Sequence, residues 1–172
     1  MDQLGFGALV AEMRDDMKII ERAGELAQER FAEVSASGLE SCAFHLVRLF
    51  NVVEQMALRV AGAFENDVTE DGGWHAELLR RVSIDIPGVR PSLFPKSARP
   101  ALRDLRGFRH VITHAYDLEL DRKRIELVLK SACLIAKDIS DWVESFITAA
   151  AQMHDWSLEQ EPGSPHSTRE NE

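Results

Sequence analysis

Arg109, His110, Val111, Ile112, Thr113, His114, Ala115 and Tyr116 bring a fixed cation, two imidazoles and the chain's single tyrosine together within eight residues. An arginine stays charged throughout the biological pH range and presents a planar fork of donors to phosphate. A histidine gains or loses a proton near neutrality. The two side chains suffice for metal-free cleavage of a phosphodiester, one meeting charge that develops on the phosphoryl oxygens and the other moving the proton. Five residues along a regular helix turn the direction by ~500°, which leaves Arg109 and His114 ~140° apart. A joint site then needs an arginine that swings back, a loosened helix end, or a second copy of the chain. The alternative is a surface arginine next to a packed histidine.

The neighbouring residues widen the choice. His110 and His114 are four apart and share a face, as a metal-binding pair would. No acidic or cysteine companion stands at a familiar spacing, so neither a metal nor any other cofactor is expected. Glu54, beside the apolar stripe of an earlier helix, is placed to orient a histidine or balance an arginine, or else is a solvated helix-face acid. His45 and His75 are single histidines within helical patterns and read as structural.

Helices must position these groups. Apolar residues recur every three or four positions from about Leu9 to Val34, and again from Leu39 to Glu65. The polar stretch 66–73 ends in Gly-Gly and reads as a loop. A short helix is predicted from Trp74 to about Ser83, followed by an irregular connection broken by Pro87, Pro91, Pro95 and Pro100. A fourth helix begins near Ala101 and carries the motif, and Asp121 caps a final helix reaching about His154. The alternation Val82–Ile86 is too short and too near proline to build a sheet. The expected fold is all-α: an antiparallel bundle of four long helices plus a short one. One domain is expected over residues 1–156, with a disordered polar tail at 157–172.

Composition narrows the function. A net charge of -9 argues against a protein that coats nucleic acid irrespective of sequence. Arg99, Arg103, Arg106, Arg109, Arg122, Lys123 and Arg124 nevertheless gather around the motif while acid dominates both ends, a pattern suited to a small phosphate site or an acidic partner. Solvated helix-surface charge is the plainer reading. No apolar run approaches the ~20 residues that span a bilayer. Asp2, Glu12, Asp15 and Asp16 stand where a signal peptide needs basic and then apolar residues, so a cytoplasmic location is expected. Cys42 and Cys133 fall on apolar helix faces, as small buried thiols do.

Arg-x4-His-x-Tyr at the end of a penultimate helix resembles the HEPN superfamily, and within it the HepT-like toxins. The segment Phe108–Val111, His114–Tyr116 and Leu118–Asp121 is similar in detail, as are Gly73–Leu79, Ile84–Pro87 with Arg90–Pro91, and Leu46–Glu54. The likeness covers about Leu39 to Ala150, and His110 departs from the asparagine or small polar residue that many relatives carry there. The resemblance implies a metal-independent endoribonuclease toxin acting on RNA as a homodimer, whose motif helices line a shared cleft. Arg109 and His114 become its catalytic pair, with His110, Arg106 and Glu54 as candidate substrate-binding residues. The implied partner is a nucleotidyltransferase antitoxin, which in such systems can adenylylate the motif tyrosine, here Tyr116. The rival reading is a noncatalytic helical subunit that binds a nucleotidyltransferase and completes its substrate pocket.

Overall fold

A computed structural model describes residues 1–65, 74–114 and 119–158. The expectations for the 66–73 loop, the Trp74 and His75 side chains, Tyr116 and the tail from 159 onward fall outside the described residues. Five α-helices follow in order: α1 (Gln3–Ala32), α2 (Ala36–Glu65), α3 (Trp74–Val82), α4 (Arg99–His114) and α5 (Arg122–His154). The fold is all-α, and among the described residues the only β pairing is an isolated bridge between Ile86 and Arg90. No described helix is long and apolar enough to cross a membrane.

Local chemistry sets the helix ends. α1 starts six residues ahead of the expected Leu9, because the Asp2 carboxylate accepts the Gly5 N–H at 2.8 Å and caps the first turn. This extra turn buries Phe6, whereas Val34, expected on the apolar face, lies beyond the helix and is 92% exposed. Ser35 Oγ accepts the Gly38 N–H at 3.0 Å and opens α2. A 3-10 turn at Lys96–Ala98 runs directly into α4, so that helix begins two residues ahead of the expected Ala101. Pro100 is tolerated there because a first-turn N–H has no helical acceptor. Asp121 caps α5 as expected, accepting the Lys123 N–H at 3.0 Å.

Side-chain pairs fix the directions. Phe6 lies 4.7 Å from Trp156 between ring centroids, Arg14 binds Glu144 at 2.9 and 3.1 Å, and Arg122 sits 4.2 Å over the Phe31 ring. Those three contacts make α1 and α5 antiparallel. Gly24 permits their close approach: a Cβ there would meet the Ala136 Cβ at 2.6 Å. α4 doubles back on α5, with Ser131 Oγ donating to Asp104 at 3.0 Å. α2 forms the centre, and Leu46, Leu49, Phe50, Val53, Met56, Ala57 and Val60 on it are fully buried.

Cys42 shares that core, and burial pushes its thiol up to about 11. Cys133 is only half-buried, and burial moves its thiol in the same direction. Both thiols are free. Because the thiolate is the reactive form, Cys42 should survive iodoacetamide at neutral pH in the folded chain and react on denaturation, as peptide mass spectrometry would report. Rapid native labelling would mean that this part of the core opens.

Residues 83–95 are irregular but pinned. Ile86 to Val89 make a turn with Pro87 and Gly88 in the middle; the Val89 N–H donates to Ile86 O at 2.9 Å, and Gly88 has φ +74, a value favouring glycine. Arg90, wholly buried, holds the segment against the bundle. Its Nε donates to Glu65 at 2.8 Å, Nη1 to Ile84 O at 3.2 Å and Pro91 O at 3.1 Å, and Nη2 to Arg81 O at 3.0 Å and again to Glu65. Arg81 also donates to Glu65, whose side chain is 5% exposed. Leu93 N–H returns to Val82 O at 2.7 Å, which seats Leu93 and Phe94 in the core. The start of α4 inherits its position from this arrangement.

Candidate active site

α4 presents its chemistry on two sides. Its inward side carries Ala101, Leu102 and Leu105 into the core, with Arg109 one turn further on. Arg109 Nη1 donates to Glu54 on α2 at 2.6 Å, and its guanidinium carbon lies 5.9 Å from the centre of the Phe50 ring. The Glu54 carboxylate is 4% exposed and the Arg109 side chain 29%. Arg109 is therefore anchored at one edge by a buried anion and remains open to solvent at the other. The Glu54 carboxylate thus balances the Arg109 charge.

The outer side carries the histidines. His110 and His114 are exposed, and their ring centroids lie 4.4 Å apart at an interplanar angle of 32°. His114 Nδ1 is 2.9 Å from the His110 carbonyl oxygen and 2.9 Å from Thr113 Oγ1. A carbonyl only accepts, so this contact places the proton on Nδ1 and leaves the lone pair of the neutral ring on Nε2. Thr113 Oγ1 in turn donates to Arg109 O at 2.9 Å. The i−4 contacts hold the imidazole against the last helical turn rather than leaving it to swing from the end.

Arg109 and His114 do not converge within one chain. No hydrogen bond or ring contact joins them, and they leave α4 in directions that follow the ~140° separation of a regular helix. The structure brings together Arg109 with Glu54 and His110 with His114. Arg106, half-buried, stands one turn before His110 on the same stripe and faces a cleft between α3 and α4 rather than Arg109. Tyr116 lies outside the described residues. Among the described residues, no three His, Cys, Asp or Glu side chains gather as metal ligands would.

The basic cluster seen in the sequence divides in space. Arg122 is spent on α1, donating to the carbonyls of Phe31 and Glu33 at its C-terminus. Arg124 sits 3.8 Å from Asp121 within its own turn. Arg99, Arg103 and Arg106 remain on α4, and Arg80 from α3 and Lys96 from the 3-10 turn join them, two residues that no sequence pattern singles out. Lone charges on separate elements leave no periodic signal, although Arg99, Arg103 and Arg106 repeat at helical spacing.

Residues 41–150 match the family model described as HepT-like protein. The match takes in Glu54, Arg106, Arg109, His110, His114 and Tyr116. No curated protein and no solved structure matches the chain.

Proposed function

The chain belongs to the HepT-like family, and on that premise we propose that it is a metal-independent endoribonuclease toxin that cleaves RNA at Arg109 and His114. The observation that carries this reading is the geometry of α4: a guanidinium fixed by a buried carboxylate, and an exposed imidazole whose Nε2 faces no partner among the described residues. In the reaction, His114 Nε2 takes the proton of a ribose 2′-OH as that oxygen attacks the adjacent phosphorus. The bond from phosphorus to the 5′ oxygen breaks, and the leaving oxygen is protonated by water or by a second imidazole. The products are a 2′,3′-cyclic phosphate and a 5′-hydroxyl end. Arg109 donates to the phosphoryl oxygens as their charge rises.

A homodimer belongs to the same reading. Divergent Arg109 and His114 side chains on one helix favour a cleft to which two copies of α4 contribute. Val111, between the two histidines, is 47% exposed and suits contact with a second copy. Neutralisation by a nucleotidyltransferase antitoxin follows: AMP on Tyr116, two residues past His114, adds bulk and negative charge where RNA phosphate binds.

The Glu54–Arg109 pair also supports a second reading, in which Arg109 is a strut and the chain is a noncatalytic subunit of a nucleotidyltransferase complex. Incubating the purified chain with total RNA in EDTA separates the two. Discrete fragments bearing cyclic phosphate ends are expected of the nuclease; intact RNA, from well-folded protein that binds a nucleotidyltransferase, would select the subunit.

A further inference from the structure

A cleft of about 340 Å³ opens between α3 and the first half of α4, walled by Arg80, Lys96, Arg99, Arg103 and Arg106. Leu79 and Leu102 supply its apolar side. Little of the charge is compensated at close range; Lys96 lies near enough to Asp85 to help lower its pKa. Arg80 binds Glu77 on its own helix at 2.6 Å, whereas among the described residues Lys96, Arg99, Arg103 and Arg106 have no carboxylate at ion-pair distance. Like charges at such spacing repel, and on a body of net charge -9 a surplus of acid was at hand to pair them.

Arg99 is fixed at the wall of the cleft. Its Nη2 donates to Ser83 O at 2.9 Å, but its Nε is buried without an acceptor. Buried donors are nearly always satisfied, and an orphan one costs about 1–3 kcal/mol unless water, an ion or a ligand meets it. An anion seated in the cleft relieves the repulsion among these cations.

The cleft is also in line with the candidate active site. Arg99, Arg103, Arg106, His110 and His114 follow at intervals of four, three, four and four residues, which keeps them on one stripe of α4. At ~1.5 Å per residue the stripe runs ~22 Å from Arg99 to His114. Arg109 lies off it, turned towards Glu54.

We propose that the cleft between α3 and α4 is a phosphate subsite for single-stranded RNA, seating a backbone phosphate that flanks the one held at the histidines. This rests on the ribonuclease reading and extends it: the enzyme engages a strand along α4, not a single linkage. A groove of cations that tracks a sugar–phosphate backbone binds with strong salt dependence and little base preference.

The test uses a fluorescent 2′-O-methyl RNA of about ten nucleotides, which lacks the attacking hydroxyl and so stays intact. Its Kd for the wild-type chain is measured by anisotropy across a salt series. Each lost phosphate contact is expected to flatten the slope of log K against log salt by about 0.7. Arg103→Gln, at an exposed position, and Arg99→Gln should each do so and weaken binding at low salt about tenfold. Lys18→Gln, on α1, should change neither quantity. Unmodified RNA of the same sequence is incubated in parallel with the wild-type chain in EDTA. If that RNA is cut while both arginine variants bind like wild type, the subsite is wrong and the nuclease stands. Loss of slope in the variants without any cutting establishes the subsite and removes the nuclease. Absence of binding by the wild-type chain overturns the subsite outright.

Discussion

His114→Ala is expected to lower RNA cleavage by about 10²–10⁴-fold, the range associated with removing a positioned acid or base, and to leave the thermal midpoint where it was. The second half of that statement gives the first its force. His114 is exposed, and its contacts are with the His110 carbonyl, the Thr113 hydroxyl and the His110 ring, all within its own turn. Nothing in the core depends on it. Single-turnover cleavage of a defined oligonucleotide, alongside calorimetry, reads both quantities, and undiminished cleavage by the folded variant would remove His114 from the reaction.

Arg109→Ala is a poorer probe despite its larger apparent effect. It strips the guanidinium from a carboxylate that is 4% exposed, so a loss of stability accompanies any loss of chemistry. Arg109→Lys keeps a charge for Glu54 and removes the planar fork, which makes it the better partner to His114→Ala.

The largest effect on stability is expected at a residue remote from the motif. Arg90→Ala should destabilise the chain by about 3–5 kcal/mol, since it leaves the buried Glu65 carboxylate without its fully buried partner and takes their side-chain donor from the carbonyls of Ile84 and Pro91. For a chain of this size that corresponds to a fall in melting temperature on the order of 10 °C. Arg90→Lys should recover only part of the loss, because an ammonium has three donors where the guanidinium uses five. Far-UV circular dichroism melts of both variants check the prediction. A midpoint within a degree or two of wild type for Arg90→Ala would mean that residues 83–95 need no such clamp.

Arg90 also marks the limit of what the chain discloses before folding. The long helices were legible because each buries a stripe repeating at helical spacing, and the Asp121 cap because its chemistry is local. The first six residues of α1 carry no clear helical rhythm, since Gly5 and Gly7 blur the apolar pattern around Phe6. Proline density correctly signalled an irregular connection after α3, but nothing in it announced that a single arginine would be wholly buried there. Periodicity speaks for faces, not for one polar group whose partners come from three elements.

The motif divides in the same way. Its residue types and order were legible, as was the wide angle between Arg109 and His114. Glu54 was a candidate for several roles, and only tertiary packing across 55 positions selected Arg109 as its partner. The split of the basic residues was equally hidden: Arg122, close to the motif in sequence, serves the end of α1, while Arg80 and Lys96 arrive from other elements.

The Glu54 contact has a kinetic meaning for whatever anion Arg109 receives. A free arginine side chain loses about 2 kcal/mol of rotamer entropy when it is immobilised. Arg109 undergoes that loss when the bundle forms, because a buried carboxylate and the Phe50 ring already fix it. Its ordering is complete before an anion arrives, so little of the binding energy is diverted to arranging the receptor. Arg103, exposed on the outer stripe, has no ion pair among the described residues and adapts on contact. On the proposed ribonuclease reading, capture would fall to a mobile cation and recognition at the reacting linkage to a rigid one.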